Sequence, residues 1–380
     1  MIDIIKRHLL NISIIGIITL FMIFLYGQIE YTQEPYSKWD LLYYRAIAIA
    51  SPQFDPSIGG PFAYRLLGPY IVGLFPIPDP LGFYIFTVSA SFALVFLIYF
   101  FLCNMGINTN ASVITTILFL FNKYLFGFTV WDFFQINDLL SLIWILILFW
   151  AMMRKNWKLF SIVMFLGAVT KETVMLMIPV VFVYLFEKKK ISTEARSVLI
   201  VTVLSIVVFL FPRLLIRAPG NNIIHAFITH STKLRSVENW FRLLVNPFIP
   251  LSLLPFIFLK RTIDFFRDKK YALVFMFLVF LSTLFGSNNE RLMSPAFIVF
   301  YWLIGTIVHT EKLEASKPLI LVIVLGTFIS SFHHVISRFH FLSKNLSIII
   351  SLGFFVVITV SSFIYRMRME AFNKYSNILS

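Results

Sequence analysis

Long stretches of this 380-residue chain carry no charge at all, and its charged residues gather in the short turns between them. Ile348 to Ile358 is one such stretch. Hydrocarbon offers a backbone amide nothing to bond to, so a chain that lies in it must be a helix or a closed barrel. A barrel would alternate apolar and polar residues over short segments, and these runs do not alternate. The expected fold class is therefore all-α, a polytopic transmembrane helical protein. Composition agrees, with 59% hydrophobic and only 13% charged residues and 45 phenylalanines, too little polar surface to cover a soluble domain of this length. The first apolar segment meets Gln28, Glu30 and Tyr31 rather than a small-residue cleavage site, so it is expected to stay as an anchor.

The same pattern excludes several classes. A single cysteine, Cys103, rules out an internal disulfide and any cysteine-based metal cluster. The net charge of +14 does not point to nucleic acid, because the basic residues sit in turns between apolar runs, as the positive-inside rule requires. No GxGxxG follows a strand and no GxxxxGK[ST] occurs, so no nucleotide site is expected.

The apolar runs lay out as about twelve crossings, over 9–29, 81–102, 111–126, 134–153, 159–170, 173–186, 197–215, 247–259, 271–286, 292–308, 318–332 and 346–365, with both termini cytoplasmic. Lys and Arg then number 19 in the cytoplasmic turns and 13 in the longer outer ones. The basic turns at Lys188 to Lys190 and Lys260 to Lys270 fix that orientation most firmly. Several runs are short for a hydrocarbon core of about 30 Å, which wants roughly twenty helical residues. Short juxtamembrane helices are expected on the outer side, and the proline- and glycine-rich stretch 62–77 reads as a surface or re-entrant helix.

With this layout the unusual polar residues fall on one face. Asp40 follows the first span, Asp55 lies in a proline-rich stretch, and Tyr64 and Arg65 open the next apolar segment. Asp132 and Asp138 flank the start of the fourth span, Lys171 and Glu172 make a tight turn, and Glu290 and Arg291 make another. Arg217 and His225 edge a long loop, and His333 belongs to the last outer turn. Charge at membrane depth costs several kcal/mol unless paired or wet, so these residues are expected to share a polar chamber. That set suits sugar transfer from a polyprenyl-phosphate donor. A carboxylate takes the proton of the acceptor hydroxyl, and cations neutralise the departing phosphate. Asp40 is the base candidate. Arg217, Arg291, Arg65, Lys171, His225 and His333 are the phosphate-binding candidates, and Asp132, Asp138, Glu172, Glu290, Tyr64 and Asp55 the acceptor-binding or supporting ones. Two of these turns also admit a local reading, as a Lys171–Glu172 hairpin pair and a Glu290–Arg291 ion pair.

Four places resemble the GT-C superfamily of membrane glycosyltransferases. They are Asp40 in Trp39-Asp-Leu-Leu-Tyr-Tyr44, the stretch Pro61-Phe-Ala-Tyr-Arg-Leu-Leu-Gly-Pro69, Thr170-Lys-Glu-Thr173 at a helix hairpin, and Asn288-Asn-Glu-Arg291 ahead of a proline-containing span. The second is similar to a stretch of bacterial mannosyltransferase-like membrane proteins. The resemblance implies a module of about seven helices, taken here as 1–215 with its first outer loop 30–80, followed by a variable part, 216–380. It also implies Asp40 as catalytic base, a polyprenyl-phosphate sugar as donor and an inverting reaction. The acceptor is left as a lipid, a glycan or a protein, and the setting as a prokaryotic plasma membrane. No Asp-x-Asp or Glu-x-Asp stands at the loop, where Lys38 and Trp39 precede Asp40, so no cofactor is required and a divalent metal stays open. A transporter or flippase of a lipid-linked glycan is the competing reading, although the two related halves common in transporters are not visible here.

Overall fold

The computed structural model describes residues 2–26, 40–53, 55, 57–77, 80–189, 191–216, 218, 223–286, 288–339 and 343–379. Every regular element among them is helical. The first half holds α1 (Ile2–Tyr26), α2 (Leu41–Ala50), α3 (Leu67–Leu74), α4 (Leu81–Asn104), α5 (Thr109–Leu120), α6 (Ile136–Met153), α7 (Trp157–Ala168) and α8 (Met177–Glu187). The second holds α9 (Ile191–Ile216), α10 (Ile223–Ser231), α11 (Val237–Leu244), α12 (Leu259–Asp268), α13 (Lys270–Ser282), α14 (Phe297–Thr310), α15 (Lys317–Phe339) and α16 (Lys344–Leu379).

The chain is a multi-spanning helical membrane protein, but the expected count of about twelve crossings needs correcting. Five helices among the described residues are long and apolar enough to cross a bilayer, over His8–Tyr26, Leu81–Asn104, Ile136–Met153, Arg196–Ile216 and Asn345–Phe372. Most of the other apolar runs form helices that stop short. At 1.5 Å per residue, the 12 residues of α5 rise about 18 Å, well under a hydrocarbon core of about 30 Å. α5 ends at Phe121, where a π-helical turn, Lys123–Gly127, takes over. Non-helical or irregular backbone at that depth persists only inside protein, and Ala111, Ser112, Thr115, Leu118 and Phe119 of α5 are buried accordingly. The expected span 247–259 breaks in the same way, into a 3-10 turn and a four-residue helix, and α12 begins at its last residue, Leu259, and runs through most of the expected basic turn. The long loop expected at Arg217 and His225 holds α10 and α11.

The turns read as polar connectors do start helices. Asn108 and Asn156 cap α5 and α7, each side chain accepting the backbone N–H three residues on, from Ala111 and Leu159. α6 is the central helix, with Leu139, Leu142, Ile145, Leu146 and Phe149 all buried. α14 packs beside α5, and its Trp302 meets Phe101 and Phe265 edge-on at 5.3 and 5.2 Å. α9 instead keeps Leu199, Ile200, Val203, Leu204 and Val207 exposed, the surface a helix offers to lipid.

A second, smaller apolar cluster positions the site. Leu41, Tyr44, Ile47 and Ala48 of α2 pack with Tyr64, Leu66, Val72, Phe83, Phe134 and Ile136. This lays α2 and α3 over the starts of α4 and α6. The approach is close enough to require glycine: a Cβ on Gly73 would fall 2.0 Å from the Ala48 carbonyl oxygen, and one on Gly68 2.6 Å from Asn137 Oδ1. Asn137 then stitches the stretch down, its Nδ2 donating to the Arg65 carbonyl at 2.9 Å and its Oδ1 accepting from Gly68 N–H at 3.1 Å. The Leu66 and Leu67 amides donate to the Val169 carbonyl at the end of α7. The stretch 62–77 is thus a short turn-and-helix element held on the protein, as its prolines and glycines require.

Candidate active site

The sequence-distant polar turns meet at this end of the bundle. Asp138 stands in the first turn of α6, where the helix N-terminus favours a carboxylate. Its Oδ1 accepts from Lys171 Nζ at 2.7 Å and its Oδ2 from Arg291 Nε at 2.6 Å. Asp138 and Lys171 are almost wholly buried. Charge there is tolerable only because each group has an opposite partner and its hydrogen bonds are filled.

Arg291 carries the network on to Asp40. Its Nη1 donates to Asp40 Oδ2 at 2.9 Å, and its Nη2 donates to Gln135 Oε1. Gln135 closes the ring by donating from Nε2 to the same Asp40 Oδ2 at 2.9 Å. Asp40 precedes the first residue of α2 and uses no side-chain oxygen to cap it. Its Oδ1 has no hydrogen-bond partner among the described residues, and its side chain is 24% exposed against 2% for Asp138. One carboxylate is sealed and the other open.

The pairings differ from the local ones that the sequence admits. Lys171 and Glu172 are not partners: Lys171 turns to Asp138, while Glu172 takes a two-pronged contact from Arg65, with Nε at 3.0 Å and Nη2 to its other oxygen. Glu290 and Arg291 separate in the same way, Glu290 accepting from Arg242 Nε at 2.8 Å and Asn246 Nδ2 at 3.1 Å. Arg242 lies outside the long spans, and its bond to Glu290 raises its pKa. Tyr44, fully buried on α2, is held beside Arg65, Asp40 and Asp138.

Asp132 joins the group from the turn ahead of α6, outside the five long spans. It is buried, and its Oδ2 has no hydrogen-bond partner among the described residues. Burial pushes its carboxyl up to about 7, against the pull of Arg291. In the unfolded chain the group releases its proton near pH 4. Folded Asp132 therefore holds a proton that the unfolded chain has lost, so its effect on stability becomes unfavourable as pH rises from about 4 to about 7 and then levels. Asp132→Asn should remove that slope. Melting of the purified protein at pH 5 and pH 8 checks it: the variant should gain on the parent at pH 8, and parallel responses would contradict the assignment.

Of the remaining candidates, Tyr64 is buried beneath Arg213 of α9, whose guanidinium lies 4.7 Å from the ring centre. Asp55 accepts from the Ser57 amide at 2.9 Å and hydroxyl at 2.6 Å, bonds that hold its carboxyl below the usual range and mark it as a turn residue. Arg217 lies outside the described residues. His225 and His333 stand on α10 and α15, with their side chains outside the description. Among the described residues no group of three or more His, Cys, Asp and Glu side chains is placed to hold a metal ion. The cation between the Asp40 and Asp138 carboxylates is Arg291. Sequence reasoning missed Gln135, Asn137, Arg242 and Asn246 as partners. Gln135 and Asn137 belong to the polar string that ends in Asp138 just before an apolar run, and that placement was a usable signal.

No family model matches the chain, and no curated protein matches it. Among solved structures, ArnT from Cupriavidus metallidurans, crystallised with undecaprenyl phosphate, is similar over 94% of this chain and 77% of its own, with 11% identity and a TM-score of 0.48.

Proposed function

We propose that this chain is a GT-C-like membrane glycosyltransferase that moves a sugar from a polyprenyl-phosphate donor to an acceptor hydroxyl at the non-cytoplasmic face. The observation that carries this reading is the state of Asp40. Its Oδ2 is fixed by Arg291 and Gln135, while its Oδ1 is open to a partner, at a point where four separate turns converge. A carboxylate held by two donors is oriented and charged, as a general base must be.

In the proposed reaction, Asp40 Oδ1 takes the proton of the acceptor hydroxyl as that oxygen bonds to the anomeric carbon. The bond from that carbon to the phosphate oxygen breaks, and its electron pair leaves with the polyprenyl phosphate. A single displacement inverts the anomeric centre. Arg291 holds the base in place. Asp138 and Lys171 serve as the frame that fixes Arg291, and the Arg65–Glu172 pair fixes the stretch that carries Tyr64. Asp132 lies within this charged group, its carboxyl pushed up to about 7 by burial. The test is turnover by the purified protein on a panel of polyprenyl-phosphate sugars; an inactive panel with every candidate acceptor would sink the reading.

Sidedness is checked separately. In a Cys103→Ser background, Ser57→Cys, exposed near α2, should react with an impermeant thiol reagent added outside, and Asn104→Cys, at the far end of α4, only with reagent admitted to the cytoplasmic side. The reverse pattern would invert the orientation.

A further inference from the structure

The cations of the cluster are matched one for one. Lys171 is held by Asp138, Arg65 by Glu172, and Arg291 by Asp40 together with Asp138. The three carboxylates and three cations cancel, so a phosphate arriving among them would have to displace a carboxylate to find a free positive charge. Arg213 differs. It ends the long span of α9 beside the same cluster and forms no ion pair with a carboxylate among the described residues.

Its guanidinium is nonetheless held in place. It stacks 3.5 Å from the Phe209 ring centre and 4.7 Å from that of Tyr64, and its Nη1 donates to the Phe209 carbonyl at 2.7 Å. Two aromatic faces and one carbonyl fix the plane and leave the other N–H groups to donate elsewhere. Tyr64 precedes Arg65, so the clamp is covalently joined to the Arg65–Glu172 pair. Around it, Leu210, Phe211, Leu214 and Leu215 of α9 are exposed, an apolar surface on which a lipid chain can lie with its head at the guanidinium.

We propose that Arg213 is the binding residue for the donor's lipid-linked phosphate, supplying the positive charge that the paired cations do not. This rests on the transferase reading and deepens it. The donor phosphodiester carries one negative charge, and the lipid phosphate left after transfer carries up to a second, so a cation without its own carboxylate favours the products' side of bond breaking.

The experiment is binding of polyprenyl phosphate to the purified protein in detergent, with polyprenol and inorganic phosphate as the other two probes. Arg213→Ala should weaken polyprenyl phosphate binding roughly tenfold or more. Arg213→Lys should recover part of that loss and Arg213→Gln none, a comparison that stands even if the alanine variant folds poorly. Polyprenol affinity should be the same in all four proteins. Inorganic phosphate should bind far more weakly than the lipid; equal affinity would overturn the lipid source. Unchanged polyprenyl phosphate binding in Arg213→Ala and Arg213→Gln would overturn Arg213 as the binding residue and leave the transferase reading standing. No binding by the parent protein would overturn both.

Discussion

Asp40→Asn should lower sugar transfer by roughly a hundred- to ten-thousand-fold, the range expected when a positioned general base is lost. An amide oxygen can still accept from Arg291 and Gln135, so the side chain should keep its place. What it loses is the ability to take a proton from the acceptor. Stability should change little, because Arg291 retains Asp138 as its sealed anionic partner and Asp40 is partly exposed. The measurement is turnover alongside the melting temperature of the same preparation. Full turnover in a well-folded variant would remove Asp40 as the base; lost turnover with a collapsed melting temperature would place it in the structural frame instead.

Asp138→Ala should have the largest effect on stability of any single change in this region, about 3–5 kcal/mol, the range for removing one partner of a buried ion pair. Lys171 Nζ and Arg291 Nε both donate to this carboxylate, and Lys171 is 3% exposed. Without Asp138, buried Lys171 loses its ion-pair partner among the described residues while the Arg291 and Arg65 charges stay close by, and Arg291 is held by Asp40 and Gln135 alone. The damage should therefore be lessened by a second change that removes the stranded charge. Asp138→Ala combined with Lys171→Met is expected to be more stable than Asp138→Ala alone. Denaturation of the parent, the two single variants and the double variant measures the coupling. Additive losses would mean that the two groups are solvated separately and form no buried pair.

The meeting of these turns was legible from sequence because hydrocarbon penalises charge wherever it falls along the chain. Asp40, Asp138, Lys171 and Arg291 could be expected in one place before any partner was known. Their pairing was not legible. Glu172 reaches back to Arg65, and Glu290 finds Arg242 rather than adjacent Arg291, because neighbours at the start of a helix point in different directions. The crossing count failed for a related reason. An apolar run reads alike whether its side chains face lipid, as in Arg196–Ile216, or other helices, as in Thr109–Leu120. Hydropathy reports removal from water and is silent on which solvent replaces it. Arg213 stood in plain sight at the end of an apolar run but carried no signal that it would form no ion pair with a carboxylate among the described residues.

The most direct measurement of the central claim follows a labelled polyprenyl-phosphate sugar in proteoliposomes that contain the protein and an acceptor. If the converging turns around Asp40 form a reaction centre, label moves to the acceptor and free polyprenyl phosphate appears in equal amount, with both signals absent in Asp40→Asn. Recovery of the donor intact on the opposite leaflet, with no bond broken, would contradict the account and identify a carrier of lipid-linked sugars in its place.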